Sequence, residues 1–283
     1  MNIFFKTIIG LFLLFATITK ANAMLADDER NIKRYKEISV TGFPDYPPFG
    51  FLEEPDRTSS FNSVFKKFLE EYAIPNNIKI NYKANVKYKE AVQDVRSGKI
   101  NLIIGMYSET DIYNGIEYIY PSFINNPVHI IALPNKITNI KDFSDLQKMK
   151  GGINKNEHLS DFVNEQLNQL GVKRIEDSYT LYKMLFNGEI DYVIGSRYFN
   201  MIEASKLGLL NKVSFSKKPI WDMPMFIGMS KGFIERPYVT QSLSKSLADP
   251  ENQKKINNYL IEMMNNIEDK NRGIVSPEFS RDK

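Results

Sequence analysis

Two short segments, ninety positions apart, constrain this chain more than anything else in it. The first reads Arg96-Ser97-Gly98-Lys99-Ile100-Asn101-Leu102-Ile103-Ile104-Gly105, the second Phe186-Asn187-Gly188-Glu189-Ile190-Asp191-Tyr192-Val193-Ile194-Gly195. In both, a helix-like stretch stops at a glycine, a short apolar run comes next, and a second glycine closes it. Gly98 and Gly188 sit where a helix ends in the left-handed region, which costs glycine no Cβ clash. The apolar runs lack polar alternation, so they predict strands buried on both faces under helices. Gly105 and Gly195 then fall at the carboxyl ends of those strands, where open α/β sheets hold their ligands. Two such units predict two similar α/β lobes, built on mainly parallel sheets, with a cleft between them.

The amino terminus differs from the rest of the chain. Lys6 gives a positive start, Ile8 to Ile18 is apolar, and Ala21-Asn22-Ala23 has the small-x-small form of a cleavage site. These predict a secretory signal peptide over residues 1–23, its apolar core too short to span a membrane. The 283 residues contain no cysteine. That excludes a disulfide framework, and it excludes a lipidated cysteine after the cleavage site. A soluble exported protein stays near its cell only behind an outer barrier, so the expected location is a bacterial periplasm. The formal charge is +3, and losing Lys6 and Lys20 with the signal leaves +1. No basic block stands out, so no nucleic-acid partner is expected.

Along the mature chain, Ile38 to Gly42 alternates as a first strand. The loop beyond it, Phe43-Pro44-Asp45-Tyr46-Pro47-Pro48-Phe49-Gly50-Phe51, is stiffened by proline and carries four aromatics. Such a loop suits either the wall of a small-ligand site or packing onto the lobe. Helical spacing runs from Phe61 to Tyr72, Ile78 to Tyr82 reads as a strand, and Tyr88 to Arg96 as a helix. Pro127 to Leu133 is strand-like. A second cycle opens at Ile140 to Leu146, and Gly151-Gly152-Ile153-Asn154 leads into a helix expected from about Glu157 to Leu170, with Asn156 as its N-cap. Helices are also expected over Ser178 to Phe186, Asn200 to Leu207, Tyr238 to Ala248 and Glu251 to Ile267, with a strand at Met225 to Met229. From Glu268 the tail is polar and expected to fray.

Taken together, these features resemble the bacterial extracellular solute-binding proteins of family 3, the amino-acid-receptor-like proteins with the periplasmic-binding-protein type II fold. Tyr46-Pro47-Pro48-Phe49 resembles the family's Y-P-P-F after the first strand. Ser97 to Ile103 resembles its S-G-K-hydrophobic-D-L-I, with Asn101 in place of the usual aspartate, and Glu117 to Pro121 its D-F-S-x-P. The resemblance covers about Ile38 to Ile267. It implies two lobes joined by two hinge crossovers, near Asn126 to Ile131 and Pro219 to Met225, that close on a ligand. Lobe one would comprise 24–127 plus 222–283, and lobe two 128–221.

The departures concern charge. Amino-acid binders of that family grip the ligand's carboxylate with an arginine a few residues past the first repeat. Here that stretch is Glu109-Thr110-Asp111-Ile112-Tyr113, and no arginine occurs between Arg96 and Arg174. The family aspartate that pairs with the ligand's ammonium corresponds to Ser196. A zwitterion would lose both partners, and burying an unpaired carboxylate costs several kcal/mol. The ligand is therefore expected to lie outside the standard α-amino acids, or to be gripped by other charges, with Lys155 and Arg197 as candidates.

Catalysis has little to build on. His129 and His158 are the chain's two histidines and read as structural. No zinc spacing, nucleophile elbow or phosphate loop occurs. Neither enzyme activity, metal nor cofactor is expected. The expectation is a monomeric periplasmic receptor that encloses a small molecule and delivers it to the membrane permease of an ABC-type importer. Tyr46 and Phe49 would shield the ligand. Met106, Tyr107 and Ser108 would touch it from lobe one; Asn154, Lys155, Asn156, Ser196 and Arg197 would answer from lobe two. Two other readings share the scaffold: a dehydratase-like enzyme, and a sensor subunit that docks a membrane receptor. Trp221, beside a crossover with Met223 and Met225, would pad the hinge or cover the ligand.

Overall fold

The structure, a computed structural model, describes residues 37–42, 46, 48–49, 64–83, 88–107, 114–134, 136, 140–274 and 279. The expected signal peptide, most of the 43–51 loop, and the loop carrying Ser108, Glu109 and Asp111 lie outside these residues. Two five-stranded sheets form. The first runs β2 (Lys79–Tyr82), β1 (Glu37–Thr41), β3 (Leu102–Tyr107), β10 (Pro224–Ser230), β4 (Ile116–Asn125); the second runs β7 (Lys173–Ile175), β6 (Gly151–Asn154), β8 (Tyr192–Ser196), β5 (Val128–Ala132), β9 (Ser214–Phe215).

The glycine-bounded segments do the same work in each sheet. Every residue of β3 and of β8 is buried, as their unbroken apolar runs require. Gly98 and Gly188 take φ of 81° and 74°, the left-handed stop that other residues rarely adopt. The residue after each subsequent isoleucine then ties its strand to the neighbour. Asn101 donates its N–H to Ser39 Oγ (3.0 Å) and accepts from Ser39 N–H (2.9 Å) on its Oδ1. Asp191 accepts from Lys150 N–H on Oδ2 (2.7 Å) and donates its own N–H to Lys150 O (2.7 Å). Only an acceptor is needed there, which is why asparagine serves in the first copy.

Each sheet is mixed. In the first, β1 runs parallel to β2 and β3 while β10 runs antiparallel to β3 and β4. In the second, β6 runs parallel to β7 and β8, and β5 antiparallel to β8 and β9. The antiparallel strands are those arriving from the other lobe, which need no crossover helix. The two passages between lobes bond to each other. Asn126 N–H donates to Met223 O and Val128 N–H to Trp221 O, each at 2.8 Å. Trp221 pads this junction from outside: 40% exposed, its ring lies 4.3 Å from Phe162 and 6.5 Å from Phe143.

Helices cover the sheets: α1 (Val64–Ala73), α2 (Tyr88–Arg96) and later α6 (Arg236–Ala248) and α7 (Pro250–Lys270) on the first; α3 (Asp161–Gln169), α4 (Ser178–Asn187) and α5 (Arg197–Lys206) on the second. α1 buries Val64, Phe65, Phe68, Leu69 and Tyr72, and Phe65 stacks on Phe123 of β4 at 3.9 Å. The proline-marked 118–121 segment continues within β4, since Pro121 lies on an edge strand where its missing N–H is tolerated.

The tail departs from the expected fraying. α7 continues to Lys270 and packs on α5 of the opposite lobe as well as on α1 and α6. Phe279 is then buried, 3% exposed, against Tyr179 and Phe186 of α4. A polar tail thus ends on one apolar anchor that composition averages away. Phe279→Ala is expected to cost about 1–3 kcal/mol of second-lobe stability, read as a lower urea midpoint.

Candidate functional site

Tyr107 at the end of β3 and Ser196 at the end of β8 both bond to Asn126, and Tyr46 lies between the two lobes beside them. The ring is fully buried. It stacks on Phe199 of α5 (5.7 Å, 19°) and meets His158 edge-on (5.3 Å, 81°). Phe49, also buried, touches Tyr198 edge-on at 5.8 Å. The expected aromatic wall is therefore packed onto the first turn of α5.

Below the rings a hydrogen-bond network crosses from lobe to lobe. Asn126, in the first crossover, donates Nδ2 to the hydroxyls of Tyr46 (3.1 Å) and Tyr107 (2.9 Å), and its Oδ1 accepts from Ser196 Oγ (2.6 Å). The Tyr46 hydroxyl lies 3.3 Å from both Glu157 Oε2 and His158 O as donor. Glu157 also accepts from Ser196 N–H (3.3 Å) and from the Asn200 side-chain amide. Ser196 caps α5 through Phe199 N–H at 3.5 Å, so that helix starts at Arg197, ahead of the expected Asn200.

Glu157 explains a second correction. The helix expected from about Glu157 with Asn156 as cap begins instead at Asp161, capped by Ser160. Asn156 N–H is taken by Asn154 Oδ1 (2.8 Å), and residues 157–160 are drawn out as a link that sends Glu157 and His158 inward. Helical periodicity there lost to burial of one carboxyl. Gly195 makes the room: a Cβ on it would strike the Glu157 carboxylate and the Asn200 amide. Gly195→Ala is expected to lower stability by about 1–3 kcal/mol through overpacking, measured by thermal melting.

Burial is the largest influence on these groups. It pushes the Glu157 carboxyl up to about 8, against the hydrogen bonds from Ser196, Asn200 and Tyr46 that favour the anion. It pushes His158 down to about 4, leaving that ring neutral. Tyr46 is raised well above the usual phenol range by burial, then by neighbouring Tyr107 and Glu157. His129 is lowered by burial while its Nδ1 lies 2.9 Å from Ser216 O, a structural setting away from the network.

Beside the network an open groove of about 810 Å³ runs between the lobes. Tyr88, Lys89, Gln93, Arg96 and Tyr107 line it from lobe one, and Lys155, Glu157, His158, Asp161 and Arg174 from lobe two. Of the ten residues singled out from sequence, Tyr107 and Lys155 line this groove. Tyr46, Phe49 and Ser196 belong to the packed centre. Asn154 is buried with Nδ2 donating to Ser178 Oγ (2.8 Å), and Met106 sits beneath α2 with Val92 and Val95. Arg197 lies over the Phe215 ring (5.4 Å), apart from Lys155, which pairs with Glu176. Ser108 lies outside the described residues. Among the described residues no cluster of three or more His, Cys, Asp or Glu is poised for a metal, and no helix is long and apolar enough to cross a membrane.

Sequence reasoning missed Glu157, Asn126, Phe199 and Asn200. The one available signal was Gly195 itself, a glycine with no positive φ whose reason is a neighbouring side chain.

No protein-family model matches the chain, and no curated protein matches its sequence. Solved structures do. An amino acid ABC transporter substrate-binding protein, AbpA, from Streptococcus pneumoniae, bound to L-arginine, is 13% identical with a TM-score of 0.62 over 84% of this chain and 98% of that one. The GluR0 ligand-binding core in complex with L-glutamate is 12% identical, TM-score 0.61, over 80% of this chain and 98% of that one. The BvgS VFT2 domain of Bordetella pertussis (double mutant F375E/Q461E) is 14% identical, TM-score 0.61, over 84% and 97%. At these identities the likeness bears on architecture, and it bears out the resemblance drawn from the sequence at that level: the chain has the two-lobed α/β fold of the type II periplasmic binding proteins.

Proposed function

We propose that this protein is a solute-binding receptor that closes two lobes over a small molecule and presents the closed form to a membrane partner, the permease of an ABC-type importer. The observation that carries this is the groove at the strand ends, lined from both lobes and of a size usual for small-ligand sites. AbpA and the GluR0 core, with the same architecture, are each described with an amino acid bound. In our assignment the lobes divide as 24–127 plus 222–283 and 128–221, and the mature protein acts as a monomer in the periplasm. We assign the ligand outside the standard α-amino acids. Ser196 is spent on Asn126 and on capping α5, and burial keeps Glu157 uncharged at neutral pH, so neither answers an ammonium.

The test is small-angle scattering of the mature protein with native mass spectrometry of the material as purified. A bound small molecule, and a form more compact with it than after its removal by unfolding and refolding, is the expected result. Equal dimensions across a metabolite panel would overturn the reading. A second reading, an enzyme on the same scaffold, has one observation behind it: a carboxyl raised to about 8 that lines the groove. Against it, three protein donors already occupy that carboxyl. Turnover of any panel compound, followed by proton NMR, would favour the enzyme.

A further inference from the structure

We propose that the groove beside the Tyr46 plug binds a small multivalent anion, held between cations contributed by both lobes. This rests on the receptor reading and names its ligand class. Along one face of α2, at helical spacing, Lys89, Gln93 and Arg96 turn toward the groove. Lys155 and Arg174 face them from the end of β6 and from β7. Among the described residues the acids nearby do not balance these four cations. Glu176 pairs with Lys155, Asp161 lines the groove from the first turn of α3, and burial raises the Glu157 carboxyl to about 8, which favours its neutral form at pH 7. Among the described residues neither Lys89 nor Arg96 has an acidic partner. Arg174 spends one guanidinium nitrogen on Asn164 Oδ1 (2.8 Å), leaving the others for a ligand.

The position follows from the plug. Tyr46 and its partners fill the cleft centre with protein, so a ligand is displaced toward α2 and the β6–α3 link. An anion carrying charge at both ends would bridge the cation pairs of the two lobes and relieve their repulsion, adding to the contact that the plug makes. Gln93, Tyr88 and Tyr107 add polar and aromatic atoms that a hydrated inorganic ion alone would not use, which suits an organic polycarboxylate or a phosphorylated metabolite. Both present the same chemistry, clustered anionic oxygens.

The test titrates the mature protein by calorimetry with citrate and with inorganic pyrophosphate, against L-arginine and sodium chloride at equal ionic strength. Native mass spectrometry identifies any molecule carried through purification. Saturable binding of citrate or pyrophosphate, weakened at least about tenfold by Lys89→Glu with Arg96→Glu and by Arg174→Glu, but unchanged by the distant Lys217→Glu, is expected. Preference for citrate over pyrophosphate, or the reverse, separates carboxylate from phosphate ligands. Circular dichroism of each variant checks that it folds. A co-purified neutral or cationic molecule would sink this inference while leaving the receptor standing. So would anion binding indifferent to the charge reversals, or none above the chloride control. The receptor itself falls only if scattering finds no ligand-dependent compaction.

Discussion

Tyr46→Ala separates the lobes. Its ring is fully buried between Phe199, His158 and Phe49, and its hydroxyl is the point where Asn126 and Glu157 meet. Truncating a buried aromatic ring typically removes about 3–5 kcal/mol, and here the ring belongs to an apolar cluster that spans both lobes, so the loss weakens the contact between them. The Asn126 amide and the Glu157 carboxyl lose a shared partner with it. The expected result is a larger radius of gyration for the ligand-free variant, with unfolding split into two transitions as the lobes uncouple. Tyr46→Phe, which keeps the ring, should retain most of the compaction. A Tyr46→Ala protein as compact as the parent would remove the plug from the account.

The second large effect is on pH. Glu157 is held near 8 in the folded protein, against 4.5 for an exposed carboxyl in the unfolded chain. Folding therefore takes up a proton between those values. For a raised carboxyl the sign is fixed: its contribution to stability is at full strength below about pH 4.5, weakens as pH rises, and is gone above about pH 8. The whole swing is about 5 kcal/mol. Melting temperature should fall from pH 5 to about pH 8 and level off toward pH 9. Glu157→Gln, which imitates the protonated acid, should flatten that fall and be the more stable protein at pH 9. An unchanged slope in Glu157→Gln would assign the effect to other groups. Asp142 and Asp177, held below the ordinary carboxylate value mainly by hydrogen bonds from Ser144 and Thr180, act with the opposite sign and in more acid solution.

How much of this could be read beforehand divides by range. Gly98 and Gly188, the apolar runs after them and the amphipathic α1 and α2 depend on neighbours a few residues away, and sequence pattern carried them. The network could not be read that way. Tyr46 meets Glu157 across 111 positions, Asn126 meets Ser196 across 70, and Glu157 meets Asn200 across 43. No local rule marks which asparagine or glutamate will be buried. The 157–160 link shows the conflict directly: its local pattern is helical, but the carboxyl of Glu157 finds three donors only when the chain stays extended. Of the groove cations, Lys155 stands among the sequence candidates, while Lys89, Arg96 and Arg174 escaped for a related reason. The family's arginine position points only to the stretch after β3, whereas these cations come from two lobes and other stretches of chain.

Phe279 gives the proposed opening of the lobes a visible marker. The chain that supplies α7 to the first sheet also seats one ring against Tyr179 and Phe186 of α4, in the other half of the molecule. Should the halves part far enough to unseat that ring, a phenylalanine and its socket would meet water together, and the widest form of the protein would be its stickiest.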